Sequence, residues 1–261
     1  MTIDAARTFE TYVQTFPKGE MMQLKIDHTA RVARDAQEVM VREGFSPTLT
    51  EQGLTAAWWH DVGRFPQLQQ YGTFSDLKSV DHALLSCSEI LRQGWLDQED
   101  ATTRNRILKA IAFHNLQEVP PQLEADDARV VHLVRDADKL DILVLLNQAI
   151  ETRYLETHPE VYFGLPFTAP LSEGVVQALE AGKTVSYRDL KSLADFIFIQ
   201  VSWCNGGFYF PASCALVLER NCLEIRRDYL CSILPASEHG KVIRGCEIAE
   251  AALKRKVSNG C

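Results

Sequence analysis

The segment Ala57-Trp58-Trp59-His60-Asp61-Val62-Gly63-Arg64-Phe65 places a histidine and an aspartate side by side, close to the end of an apolar stretch. A neutral imidazole and a carboxylate are both suitable ligands for a divalent transition metal. A His-Asp pair by itself carries little information, because such dipeptides are common on protein surfaces. The pair gains meaning only if other histidines and aspartates reach the same place in the fold.

Four further candidates lie at wide intervals along the chain: His28, His82, His114 and Asp138. Each lies within or beside a helical pattern of apolar residues, where an unpaired polar group is costly. Taken singly, each has an ordinary alternative role, as a hydrogen-bonded core histidine or a salt-bridge partner. Taken together, six such side chains on five predicted helices favour a shared metal centre, which would satisfy all of them.

The composition is that of a globular protein, with 261 residues of which 24% are charged and 46% hydrophobic. This length suits one large domain, or one domain with an extension. The net charge of −8 argues against a nucleic-acid polymer as partner, since such binding normally needs a basic face. A small phosphate-bearing substrate is compatible with it, because a bound metal supplies local positive charge.

The expected location is the cytoplasm, with no membrane partner. The first 20 residues lack the pattern of a signal peptide, and no apolar run approaches the roughly 18–20 residues of a membrane span. The cysteines are odd in number and form no C-x-x-C motif, so we expect reduced thiols that pack in the interior. They are Cys87, Cys204, Cys214, Cys222, Cys231, Cys246 and Cys261.

Apolar residues recur at helical spacing through most of the chain, whereas the alternating pattern of strands is nearly absent. The predicted helices cover residues 4–15, 20–43, 47–63, 79–93, 101–115, 126–150, 187–203, 211–232 and 236–256. Ser46-Pro47 is a helix start signal, and Gly63 is the expected end of that helix.

Two features of this pattern bear on the site. We expect His60 and Asp61 in the last turn of their helix, because adjacent helical residues diverge by about 100° and only a helix end lets both reach one pocket. Residues 66–78 are expected to form an irregular loop that forms a wall of the substrate site.

Residues 155–185 are rich in turn formers, which suggests a lid or a domain boundary.

The order His, His-Asp, His, His, Asp resembles the HD superfamily, a mostly phosphohydrolase group named for that dipeptide. The local sequences that share this resemblance are His60-Asp61-Val62-Gly63-Arg64-Phe65, Tyr71-Gly72-Thr73-Phe74, Val80-Asp81-His82-Ala83 and Asp136-Ala137-Asp138-Lys139-Leu140-Asp141. Together with the helical pattern, it predicts an all-α fold with an HD-domain helical core over residues 1–150. A C-terminal helical extension, residues 151–261, is expected to pack on this core as one globular unit.

The resemblance also implies a ligand set. In this superfamily four ligands hold one ion, and a larger subset adds two histidines for a second. By resemblance, the first ion would be held by His28, His60, Asp61 and Asp138. Asp61 would bridge to the second ion, which His82 and His114 complete. The expected cofactors are two divalent ions, iron or manganese first, with magnesium, nickel, cobalt or zinc as alternatives.

Asp61 and Arg64 are the candidate catalytic residues. Arg64 stands where some family members have a lysine, and its guanidinium could grip a phosphate in a bidentate manner. The alternative for Arg64 is an ordinary surface role. Asp81 and Asp141 are candidates to orient a ligand imidazole, with solvated carboxylates as the alternative.

The function implied by the resemblance is a metal-dependent phosphohydrolase that cleaves a phosphomonoester or phosphodiester, a nucleotide among them, by attack of a metal-bound hydroxide. A small branch of the superfamily uses the same six-ligand pattern, two irons and dioxygen to oxidise a small polyol or organophosphonate, and the ligand set does not separate the two branches. A non-catalytic nucleotide- or metal-binding module is the third hypothesis. The expected partner is a small phosphate-bearing substrate, and a homo-oligomer is compatible with the sequence.

Overall fold

The computed structural model describes residues 4–183, 185 and 189–260 of the chain. These residues are predominantly helical and contain no β-strand, so the predicted all-α fold is confirmed. The chain divides into two compact units, Met1–Asp141 and Ile142–Cys261. The predicted boundary at residue 150, and the packing of the extension on the core, stay predictions. Within the described residues, no helix has the length and apolarity needed to cross a membrane.

The helices of the first unit follow one another with short connections, and the last of them runs on into the second unit. Their bounds are α1 (Ala5–Val13), α2 (Glu20–Arg42), α3 (Pro47–Trp59), α4 (Arg64–Tyr71), α5 (His82–Arg92), α6 (Ala101–Phe113) and α7 (Ala125–Glu151). α3 packs against α1, α2 and α6, and α5 packs against α4 and α6. These contacts bring the ends of several helices close to the start of α4.

Cap chemistry sets the start of α3. The Ser46 hydroxyl accepts a hydrogen bond from the Leu49 amide at 3.3 Å, and Pro47 occupies the first helical position, as predicted. α3 ends at Trp59 rather than at Gly63. The His-Asp pair therefore lies just beyond the last turn, in the short connection to α4, although His60 keeps helical backbone angles.

The irregular loop predicted for residues 66–78 is wrong in most of its length. α4 covers Arg64–Tyr71, and a short 3-10 helix covers Asp76–Lys78. Pro66 lies in the first turn of α4, where the missing amide hydrogen breaks no helical hydrogen bond, so proline does not signal a loop here. The irregular part is confined to residues 72–75, which begin with Gly72 in the left-handed region (φ 66°).

Two buried aromatic residues fix the connection that carries the His-Asp pair. On one side, the Trp59 indole is fully buried, donates to the backbone oxygen of Ala5 at 3.1 Å and lies 5.0 Å from the ring of Trp95. On the other side, Phe65 is fully buried and packs edge-on against Phe9, with ring centroids 5.8 Å apart. The two ligands between them therefore sit on a rigid base of core packing.

Gly63 allows this connection to touch α5. Its amide donates to the Ser86 hydroxyl at 2.9 Å, and that hydroxyl points toward the backbone oxygens of His60 and His82, at 2.7 and 2.9 Å. A Cβ atom at position 63 would lie 2.5 Å from the oxygen of His82 and from the nitrogen of Ser86. Only glycine permits this approach. The Ser86 hydroxyl thereby connects the backbones of two candidate ligands, His60 and His82.

The second unit is also helical, with α12 packed against α8, α9, α10 and α11. The bounds are α8 (Glu173–Glu180), α9 (Leu193–Cys204), α10 (Pro211–Glu219), α11 (Cys222–Ile233) and α12 (Ala236–Asn259), with short 3-10 helices at Tyr154–Glu156 and Pro159–Tyr162. The single helix predicted over 211–232 is two helices, because Asn221 takes a left-handed conformation (φ 52°). The helix predicted over 187–203 begins at Leu193 instead, and residues 186–188 lie outside the described part of the chain.

Arg226 is a fully buried cation of the second unit. Its Nη1 donates to the Asn147 side-chain oxygen and to the backbone oxygen of Cys222. Its Nη2 donates to the backbone oxygen of Leu143 and to the Gln200 side-chain oxygen, at 2.9 and 2.8 Å. The guanidinium thus joins α7, α9 and α11 through neutral acceptors.

The six described cysteines are free thiols. Four of them are buried: Cys204, Cys214, Cys222 and Cys246. Burial raises the pKa of the Cys246 thiol to about 12, so it stays protonated and unreactive at neutral pH. This agrees with the packing role expected from the sequence. Cys261 lies outside the described residues.

Candidate metal centre

The six side chains that sequence order singles out come together in the first unit. His28 lies on α2, the His60-Asp61 pair follows α3, His82 begins α5, His114 follows α6 and Asp138 lies on α7. All are buried except Asp138, whose side chain is 21% exposed. Asp138 therefore marks the side from which solvent reaches the group.

Asp61 lies between two pairs of histidines. Its Oδ2 atom is 3.6 Å from Nε2 of His28 and 3.7 Å from Nε2 of His60. Its Oδ1 atom is 3.4 Å from Nε2 of His82 and 3.9 Å from Nε2 of His114. The carboxylate thus presents one oxygen to each pair, which is the arrangement expected of a ligand shared by two ions.

Asp138 completes the group around the first pair. Its Oδ1 atom is 3.2 Å from Nε2 of His28. The potential ligand atoms of His28, His60 and Asp138 all lie within 4.8 Å of one another, as do those of His60, Asp61 and His114. Both clusters have the dimensions of a site for a metal ion.

Backbone carbonyls orient two of the imidazoles. Nδ1 of His60 is 2.8 Å from the oxygen of Ala57, and Nδ1 of His114 is 2.7 Å from the oxygen of Ile111. A carbonyl oxygen only accepts, so each Nδ1 carries the proton and each Nε2 keeps its lone pair. Both residues directly follow a helix, where the last carbonyls lack the usual helical partner four residues later and can accept from a side chain.

A carboxylate orients His28. Its Nδ1 donates to Oδ2 of Asp141 at 2.6 Å, and Arg31 donates from Nε to Oδ1 of the same carboxylate at 2.5 Å. Burial opposes the charge of Asp141, but the hydrogen bonds from His28 and Arg31 outweigh it and lower the pKa of Asp141. The sequence suggested this role for Asp141, and the structure places it in contact with the imidazole.

The carboxylate that orients His82 is Asp76, which the sequence did not suggest. Nδ1 of His82 donates to Oδ2 of Asp76 at 2.6 Å. Burial would raise the pKa of Asp76, but the hydrogen bond and charge of His82 and the charge of Arg64 lower it to about 2. Asp81, the adjacent candidate, instead caps α5 by accepting from the amides of residues 83 and 84.

The inward nitrogens of His82 and His114 lie only 3.1 Å apart. Because Nδ1 of each imidazole is engaged with an acceptor, the two Nε2 atoms face each other inside the site. Burial, with the nearby His82 and His60, lowers the pKa of His114 to about 3, so this imidazole stays neutral. A contact this short needs a cation shared by the two nitrogens, and a metal ligated by both would serve in place of a proton.

Three other polar atoms of the site lack hydrogen-bond partners. Nε2 of His28, Nε2 of His60 and Oδ1 of Asp61 are buried and form no hydrogen bond of acceptable geometry. Burial opposes the charge of Asp61, but Lys25, His60 and Arg64 hold its pKa well below the usual range. An ionised carboxylate beside imidazoles whose inward nitrogens lack hydrogen-bond partners is a donor set that fits a divalent metal.

Lys25 is a second residue that sequence reasoning missed. Its Nζ donates to Oδ2 of Asp61 at 2.8 Å. The available signal was its position three residues before His28, since residues three apart lie on one helix face. A lysine one turn from a single histidine is too common to be informative without the contact itself.

Arg64 contacts the site in a different way from the one expected. Its Nε lies 3.5 Å from Oδ1 of Asp61. Its Nη1 donates to the backbone oxygen of Phe74 at 2.5 Å, to Gln67 at 3.0 Å and to Asp76 at 2.9 Å. These bonds hold the segment that carries Asp76, so Arg64 supports the carboxylate that orients His82. A direct role of Arg64 toward substrate stays a prediction.

Comparison with known proteins gives a family and no individual relative. No curated protein and no solved structure is significantly similar to the chain. The family model of the HD domain matches residues 26–143, a span that contains all six candidate ligands. HD domains bind divalent metals and are generally metal-dependent hydrolases. Residues 26–143 are therefore a domain of the HD superfamily.

Proposed function

We propose that this HD domain is a phosphohydrolase that cleaves a phosphomonoester or phosphodiester with two divalent ions, iron or manganese. The observation that carries the proposal is the position of Asp61, with one carboxylate oxygen toward each pair of histidines. A site for one ion needs no such division of the carboxylate. The inward nitrogens of His82 and His114, only 3.1 Å apart, support the same conclusion.

The residues divide into two groups of ligands. Oδ2 of Asp61 would act with His28, His60 and Asp138, and Oδ1 would act with His82 and His114. Divalent ions bound there would lower the pKa of a water molecule, to supply a nucleophile, and would offset the negative charge of a phosphoryl group.

The chain's own contribution is to hold these ligands without rearrangement. Each histidine donates its Nδ1 proton to a fixed acceptor, so each Nε2 already points inward. Core packing on both sides of the His-Asp pair excludes water from the base of the site. The partly exposed Asp138 indicates the side from which a small substrate would enter.

The test is turnover by the metal-loaded protein. Protein loaded with Mn²⁺ or Fe²⁺ is assayed on p-nitrophenyl phosphate, bis-p-nitrophenyl phosphate and a nucleotide panel, with and without oxygen. We expect hydrolysis that needs no oxygen, is lost in His60→Ala and is retained in His158→Ala, which changes a half-buried histidine outside the HD domain. Two bound ions with no hydrolysis of any ester would contradict the proposal. Oxygen-dependent conversion of a polyol or organophosphonate would replace it with the oxygenase function.

A further inference from the structure

We infer that Lys25 binds an oxyanion of the substrate, a phosphate oxygen, at the edge of the metal centre. This inference rests on the two-metal site of the proposed function. Lys25 lies on α2, one turn before His28, and its Nζ is 2.8 Å from Oδ2 of Asp61. Its side chain is 18% exposed, so the ammonium is near the ligands and yet reachable from solvent.

Three cations contact carboxylates of the site, and their counter-ions differ in role. Arg31 pairs with Asp141 at 2.5 Å. Arg64 makes its short contact, 2.9 Å, with Asp76. Both of these carboxylates orient histidines and are not ligands in the proposed site. Lys25 differs, because the carboxylate it pairs with is the proposed bridging ligand.

This difference has an electrostatic consequence. If both oxygens of Asp61 are engaged by divalent ions, those ions neutralise the carboxylate charge that otherwise balances Lys25. An ammonium that is mostly buried and has lost its counter-ion costs free energy. An anionic substrate that enters the site would supply the missing charge, and an ammonium with three donors is well suited to a phosphate oxygen.

The surroundings of Lys25 agree with this position. Its Nζ lies 5.8 Å from the ring centre of Phe74, and the guanidinium carbon of Arg64 lies 6.0 Å from the same ring. The Phe74 ring therefore has cationic groups near it from both α2 and α4. Lys25 and Asp138 are both partly exposed, at 18% and 21% of their side-chain surface, so solvent reaches the group beside Lys25 as well as beside Asp138.

The experiment compares metal content and phosphate binding in four proteins. These are the metal-loaded wild type, Lys25→Met, Lys25→Arg and the control Lys18→Met, which removes an exposed lysine. Metal per chain is measured by elemental analysis, and inorganic phosphate is titrated calorimetrically. We expect Lys25→Met to keep two ions and to bind phosphate at least about tenfold more weakly. The phosphate affinity of Lys25→Arg should stay within about threefold of the wild-type value, and that of Lys18→Met should equal the wild-type value.

Three results would overturn the inference. They are equal phosphate affinity in Lys25→Met and wild type, loss of metal in Lys25→Met, or no phosphate binding by wild type that carries two ions. Loss of metal would make Lys25 a support of Asp61 rather than an anion-binding residue.

The hydrolysis assay separates this inference from the proposed function. Phosphate binding that depends on Lys25, without cleavage of any ester, would contradict the phosphohydrolase and leave the anion-binding role intact. Cleavage of p-nitrophenyl phosphate with the same KM in wild type and Lys25→Met would support the phosphohydrolase and contradict the role of Lys25. The predicted result is a raised KM in Lys25→Met, with a smaller change in kcat, and recovery in Lys25→Arg.

Discussion

Asp61 is the residue on which both halves of the site depend. Its two oxygens lie 3.4 to 3.9 Å from the inward nitrogens of four histidines. His82, in contrast, reaches only one of these oxygens. The shared ligand and the unshared ligand should therefore have different effects on metal content when each is removed.

We expect Asp61→Ala to lose both ions, because it removes the bridge, and His82→Ala to lose mainly the second. Ions per chain are measured by elemental analysis after purification without chelator. His158→Ala serves as the control and should keep wild-type content. Equal metal loss in Asp61→Ala and His82→Ala would contradict the assignment of a shared ligand.

Asp76 and Asp81 provide a second test among single residues. Asp76 accepts the Nδ1 proton of His82, whereas Asp81 caps α5. Asp76→Ala should weaken binding of the second ion roughly 10–100-fold. Asp81→Ala should cost about 1 kcal/mol of stability through the lost cap and change metal affinity less. A metal titration with a parallel urea unfolding curve measures both quantities. A larger loss of metal affinity in Asp81→Ala would reverse the two roles.

The order of histidines and aspartates in the sequence was sufficient to single out six residues that meet in space. The partners of these residues were harder to predict. Asp81 is next to His82 in the sequence but points to the helix start, whereas Asp76, six residues away, reaches the imidazole. Contacts of this kind, like that of Lys25 with Asp61, depend on the packing of separate elements and leave no local pattern.

Among the elements, the connection between α3 and α4 depends on its close approach to α5. Gly63→Ala would force a Cβ atom within 2.5 Å of backbone atoms of His82 and Ser86, so α5 must move. We expect a loss of about 1–3 kcal/mol in the free energy of unfolding, together with weaker metal binding.

The matched control is Gly240→Ala, in α12, where an added Cβ meets nothing within 4 Å. Because alanine is favoured over glycine inside a helix, this variant should keep stability or gain up to about 1 kcal/mol. Urea unfolding measures both variants. Wild-type stability and metal content in Gly63→Ala would show that α5 does not depend on this contact.

In the second unit, the buried guanidinium of Arg226 connects three helices. Arg226→Met fills similar space but leaves the side-chain oxygens of Asn147 and Gln200 buried without their donor. We expect a loss of about 2–5 kcal/mol in the free energy of unfolding, against a change within about 0.5 kcal/mol for the partly exposed neighbour in Arg227→Met. Urea unfolding followed by circular dichroism compares them. Similar stability of the two variants would mean that Arg226 is dispensable.

Helix bounds were predictable where the sequence contains cap chemistry, as at Ser46-Pro47. They were wrong in two other places. Residues 66–71 were predicted as loop but belong to α4, and Asn221 separates α10 from α11 through a backbone conformation that apolar spacing does not reveal. The predicted helix over 211–232 therefore became two.

Across the described chain, the candidate metal ligands and the residues that orient them are unevenly distributed. All six candidate ligands and their orienting partners lie within Met1–Asp141, and the His/Asp clusters of the described residues are all found there. The described part of the second unit contributes instead buried free thiols and the neutral network around Arg226. Among the described residues, the donor set for a metal-dependent reaction therefore lies in the first unit.

The most direct test is the metal content of the wild-type chain. Protein is purified without chelator under nitrogen, and ions per chain are counted by elemental analysis. We predict about two divalent ions per chain, iron or manganese, since Asp61 faces two separate groups of nitrogen ligands. One ion per chain would reduce His82 and His114 to structural roles. No ion, and none taken up on reconstitution, would contradict the metal centre itself.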